Sequence, residues 1–64
     1  MRLVQKLLLT PEETATALSI GRTKVYELIA TGALRSVLIG SSRRIPTSAV
    51  SEFVEQLSIS WNGE

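Results

Sequence analysis

The chain contains neither cysteine nor histidine. Disulfides are excluded, and so is a zinc site of the Cys/His kind. The usual general base and the usual nucleophile of enzyme chemistry are missing as well, so catalysis is not expected. Long apolar runs are also lacking. No stretch reaches the length needed to span a membrane, and Gln5 and Lys6 interrupt the apolar residues near the start. No small-residue cleavage site follows them, so no secretion signal is expected. These absences suit a cytoplasmic protein with no metal, no cofactor and no membrane partner.

What is present is 64 residues, read as one domain over 1–64 with its core at about 8–57. A core that small is marginal without a disulfide, a metal or a partner. The net charge of +1 hides a division along the chain. From Arg22 to Arg44, the cations Arg22, Lys24, Arg35, Arg43 and Arg44 face a single anion, Glu27. Elsewhere Arg2 and Lys6 face Glu12, Glu13, Glu52, Glu55 and Glu64. A basic middle between acidic flanks suggests one surface turned towards a polyanion. Chance clustering on a solvated surface is the alternative.

Thr10-Pro11-Glu12-Glu13 marks a helix start. Thr10 and Glu13 have the spacing of a capping box, Pro11 suits the first helical position, and both acids favour the positive end of the helix dipole. The helix is expected to run to about Leu18, with Ala15 and Leu18 inward. Ser19-Ile20-Gly21 breaks it. A second helix reads from about Arg22 to Ala30, where Val25, Leu28 and Ile29 form one apolar face. Gly32 is placed for a left-handed C-terminal cap. Two short helices joined by a three-residue turn containing Gly describe a helix-turn-helix.

The stretch "LRSVLIGSSRRIP" has no helical spacing. It reads as a hairpin with strands near 34–39 and 43–45, ended by Pro46, which cannot donate to a ladder. A hairpin in this position is a wing. Thr47 then caps a third helix with Val50, Phe53, Val54 and Leu57 on one face, and Trp61 continues the spacing. Leu7, Leu8 and Leu9 are expected to cover the core. The fold class is therefore mainly α with a small two-stranded β-hairpin: helix-turn-helix, wing, C-terminal helix.

Nucleic-acid binding is the chemistry these residues suit. Arg22, Thr23 and Lys24 open the second helix, where backbone amides favour phosphate and side chains of a recognition helix meet base edges. Arg22 can bond guanine in a paired fashion and the Thr23 methyl can touch thymine, while Lys24 suits phosphate. Tyr26 can offer its hydroxyl to a phosphate; a partly buried core aromatic is the alternative. On the wing, Ser41 and Ser42 offer small hydroxyl groups to phosphates. Alternation places Arg43 with Ile45 on one face and Arg44 on the other. Arg43 suits a narrow minor groove, and Arg44 and Arg35 suit the backbone. Arginines blunting an exposed strand edge are the bland alternative. Glu12 and Glu13 are explained by capping. Glu52 and Glu55 are three apart, with no third metal ligand in view.

In order and spacing, Thr10-Pro11-Glu12-Glu13, Lys24-Val25-Tyr26, Gly32-Ala33-Leu34, Val37, Ile39-Gly40 and Arg44-Ile45-Pro46 resemble the excisionase-type branch of the MerR-like winged-helix superfamily. The likeness covers roughly residues 8 to 57. It implies duplex-DNA binding, with the second helix in the major groove and the wing in an adjacent minor groove. Members include phage and mobile-element excisionases. These bend attachment-site DNA, bind it cooperatively beside neighbouring copies of themselves, and act with an integrase to favour excision. Other members are small transcription regulators. A short chain without an effector domain or a long dimerisation helix favours the excisionase. Two residues depart from the pattern: Gly21 where relatives often place Ser as a cap, and Leu38 where they often place a basic or polar residue. A protein-interaction module using Leu38 and Trp61 is the rival from another class.

Overall fold

The computed structural model describes residues 6–62, with side chains as far as Ile59. Thr10 starts the first helix as its chemistry requires. Its Oγ1 accepts from the Glu13 N–H at 3.0 Å, and Glu13 Oε1 accepts from the Thr10 N–H at 2.9 Å. With Pro11 in the first turn, this cap launches α1 (Pro11–Leu18). Thr14 is fully buried in α1, and its hydroxyl is satisfied by donating to the Thr10 carbonyl at 3.0 Å. Ser19 ends the helix in a left-handed conformation, φ 59°, with its N–H turned back to the Ala15 and Thr16 carbonyls. After Ser19–Gly21 comes α2 (Arg22–Thr31), closed by Gly32 at φ 85°. A side chain is rarely accepted there, so glycine is the residue that fits.

Leu34 does not begin a strand. Its N–H donates to the Leu28 carbonyl at 3.1 Å, so it belongs to the closing turn of α2, and its side chain is buried in the core. The wing is shorter at one end and longer at the other than its sequence suggests: β2 (Val37–Ile39) and β3 (Ser42–Pro46). Register pairs Val37 with Arg44, Leu38 with Arg43 and Ile39 with Ser42. That leaves Gly40-Ser41 as a two-residue loop. Gly40 has φ 62° and Ser41 has no positive φ, the signature of a II′ hairpin turn.

The sheet has a third strand. Leu8–Leu9 forms β1, which pairs antiparallel with β3, Leu8 opposite Pro46 and Leu9 opposite Ile45, giving the order β1-β3-β2. The expected two-stranded wing is present as β2 and β3, and β1 adds a strand beside it; the expected role of Leu7 is corrected. That side chain is 78% exposed and does not cover the core. Its carbonyl instead accepts from the Thr47 N–H at 2.9 Å and hydroxyl at 3.3 Å. The backbone, rather than the leucine side chain, ties the N-terminal segment to the start of the last helix. A two-residue strand shows too little alternation to be read beforehand.

Val25, Leu34, Ile45, Ala15 and Ala49 form the buried core, with Ile20, Leu28, Ile29, Val50 and Phe53 packed against it. Thus α2 meets the core through the face predicted, and Ile45 anchors the wing. The last helix, α3 (Thr47–Asn62), reaches the Trp61 position, whose side chain lies outside the described residues. Val50 and Phe53 face the core, but Val54 and Leu57 are exposed. The apolar face outruns its partner because α3 is about 24 Å long and packs on β3 near its start.

Candidate nucleic-acid interface

Four side chains open α2 towards solvent. Arg22, Thr23, Lys24 and Tyr26 are exposed, while Val25 between them is fully buried. Helical spacing produces this for Thr23, Lys24 and Tyr26, which fall off the face made by Val25, Leu28 and Ile29. Arg22, one turn before Val25, is exposed because it stands at the first position of the helix. Gly21 caps α2 from an extended conformation without a side-chain bond. The first amides of α2 therefore lack a side-chain acceptor from the cap residue.

The cations of this surface are not equally available. Arg22 Nε lies 2.8 Å from Glu12 across the helix-turn-helix, and the guanidinium stands 5.2 Å from the centre of the Tyr26 ring. Lys24 pairs with Glu27 at 3.2 Å, one turn on, and Arg35 pairs with Glu52 of α3 at 3.1 Å. All three pairs are well exposed, the kind that contributes about 1 kcal/mol or less and exchanges readily for another anion. Among the described residues, Arg43 and Arg44 have no carboxylate at ion-pair distance. Arg43 Nη1 donates to Ser36 Oγ at 2.9 Å, and Arg44 Nη1 donates to the Arg43 carbonyl at 2.8 Å. The uncompensated positive charge of the basic middle is thus concentrated on the wing.

Wing geometry follows from the register. Arg43 lies opposite Leu38 and shares its face with Ser36 and the buried Ile45; Arg44 lies opposite Val37 on the other face. Both arginines are half-buried, while Ser41 and Ser42 at the tip are exposed. Leu38 is also exposed, at 57%. Arg35 precedes β2 and is turned towards α3 by its ion pair.

Three contacts of the site's arginines were not visible in the sequence: Glu52–Arg35, Glu12–Arg22 and Ser36–Arg43. Capping explains Glu13, which also meets Lys6, but not Glu12, whose partner Arg22 is ten residues on. Ser36, which holds Arg43, carried no signal beyond its place on the strand face. Glu13 is held below the usual carboxylate range, first by the Lys6 ammonium and then by the Thr10 amide. Among the described residues, no cluster of acidic side chains could hold a metal. Among the described residues, no helix is long and apolar enough to cross a membrane.

Helix-turn-helix, hairpin wing and closing helix together define a winged helix-turn-helix protein. A helix-turn-helix domain family matches residues 8–58. The chain is 48% identical over 56 residues to a probable excisionase of Saccharopolyspora erythraea, covering 88% of this chain and 57% of that protein. It is 46% identical over 55 residues to an excisionase of Streptomyces ambofaciens, covering 86% of this chain and 89% of that one. The chain belongs to the excisionase family of helix-turn-helix proteins. It spans little more than half the length of the Saccharopolyspora relative. No solved structure matches it significantly.

Proposed function

We propose that the protein is an accessory DNA-binding factor of site-specific recombination, without enzymatic activity of its own. It binds attachment-site duplex DNA in the cytoplasm and helps an integrase to excise a mobile element. In this proposal α2 enters the major groove. Arg22 and Thr23 read base edges, and Lys24 and Tyr26 meet the backbone. The β2–β3 wing lies along the adjacent minor groove, with Arg43 in the groove and Arg44, Arg35, Ser41 and Ser42 on phosphates. The observation that carries it is the exposed basic first turn of α2, set over the fully buried Val25 in a chain of the excisionase family. Neighbouring copies loading side by side would raise occupancy along the duplex, and the exposed Leu38 offers them an apolar contact.

Three cations meeting phosphates, Lys24, Arg35 and Arg44, give a slope of log K against log salt near about −2.7. Fluorescence anisotropy on attachment-site and unrelated duplexes, taken across a salt series, measures it. An affinity that stays flat with salt contradicts the proposed surface.

A further inference from the structure

We infer that Glu12 is a positioning residue for Arg22, making this arginine a reader of a base edge rather than a binder of phosphate. The inference rests on the DNA-binding role proposed above.

The cap of α1 is complete without Glu12, since Thr10 and Glu13 satisfy one another. Glu12 instead reaches the first residue of α2, with its Oε2 2.8 Å from Arg22 Nε. On its other side the guanidinium meets Tyr26, 5.2 Å from the ring centre, with Nη2 only loosely donating to the hydroxyl at 3.5 Å. The acid engages the Nε side. The two terminal nitrogens, the end that forms paired bonds to guanine O6 and N7, remain to be used.

Two consequences follow. An arginine already held by an acid and a ring loses less rotamer freedom when it meets a base, so binding is better pre-organised. The carboxylate also adds a negative charge beside Arg22. It repels a phosphate but leaves the neutral acceptors of a guanine edge attractive. Glu12 therefore raises discrimination while holding down affinity for DNA at large. Both groups are more than half exposed, with side chains at 59% and 62%. The pair contributes little to folding, and its loss leaves the protein intact.

The test uses the full chain with Glu12→Gln, Arg22→Ala, Arg22→Lys and the double variant Glu12→Gln/Arg22→Lys. Affinity is measured on attachment-site duplex, on duplexes with each base pair changed in turn, and on unrelated duplex. Thermal unfolding is followed in parallel. Glu12→Gln should bind unrelated duplex more tightly, lose about tenfold in discrimination at one base pair, and keep its Tm. Arg22→Ala should lose discrimination at that same base pair. Arg22→Lys lacks the fork, so adding Glu12→Gln to it should change that discrimination no further. Unaltered discrimination in Glu12→Gln, beside a loss in Arg22→Ala, overturns this inference and leaves the role of α2 standing. Unaltered discrimination in Arg22→Ala overturns both.

Discussion

Arg22 and Lys24 sit two residues apart on one helical turn, yet they should behave differently. Arg22→Ala should cost about 1–3 kcal/mol on the specific site and relax discrimination at one or two base pairs. Lys24→Ala should weaken specific and unrelated duplex alike, and identical behaviour of the two variants contradicts the roles assigned. Arg43→Ala should weaken A·T-rich sites most, because a narrow minor groove attracts an inserted arginine. Glu13 makes a separate prediction about folding. Its carboxyl titrates below the ordinary range because Lys6 and the Thr10 amide favour the ionised form. A folded-state pKa below the unfolded one gives stability that is complete above the unfolded value and is lost as pH falls through the folded one. Glu13→Gln keeps an acceptor for the capping box but removes the titration. Its Tm should therefore fall less steeply than wild type as pH drops through the carboxylate range.

Elements differ in how far their sequences foretell them. α1 and α2 carry their own start and stop chemistry, in Thr10, Pro11, Glu13 and Gly32, and both appear where that chemistry places them. The II′ turn is likewise local, because Gly40 supplies the positive φ it needs. What sequence did not disclose depends on partners distant in the chain. β1 exists because β3 pairs with it, and Leu34 leaves the strand because Leu28 takes its N–H. The exposed residues of the candidate site were legible from helical and strand periodicity. Their ion pairs were not, since Glu12–Arg22 and Glu52–Arg35 cross from one element to another. Ser19 shows an element holding strain. A residue with a Cβ in the left-handed region is disfavoured by about 1–2 kcal/mol, and glycine's extra unfolded freedom offsets about half of that. Ser19→Gly should raise stability by about 0.5–1 kcal/mol in chemical denaturation, and Ser19→Val should lower it.

On the scale of the whole molecule, a small core supports a surface of divided charge. Ile45 is fully buried and joins the wing to the helices. Ile45→Ala should cost about 2–5 kcal/mol, comparable with the roughly 3–5 kcal/mol a core of this size supplies. The variant should be largely unfolded by circular dichroism at room temperature. The acidic flanks fold back on the basic middle, Glu12 onto Arg22 and Glu52 onto Arg35, while Arg43 and Arg44 keep their charge on the wing. In the proposed binding mode Lys24 and Arg35 exchange Glu27 and Glu52 for phosphates, Arg22 keeps Glu12 while it meets a base, and the wing adds new charge contacts. Methylation protection on attachment-site DNA tests this most directly, because one reagent reports guanine N7 in the major groove and adenine N3 in the minor groove. Protected guanines are expected in one short segment, lost in Arg22→Ala. Protected adenines are expected in the adjoining minor groove, lost in Arg43→Ala. Protection of neither groove, or protection indifferent to both substitutions, would contradict it.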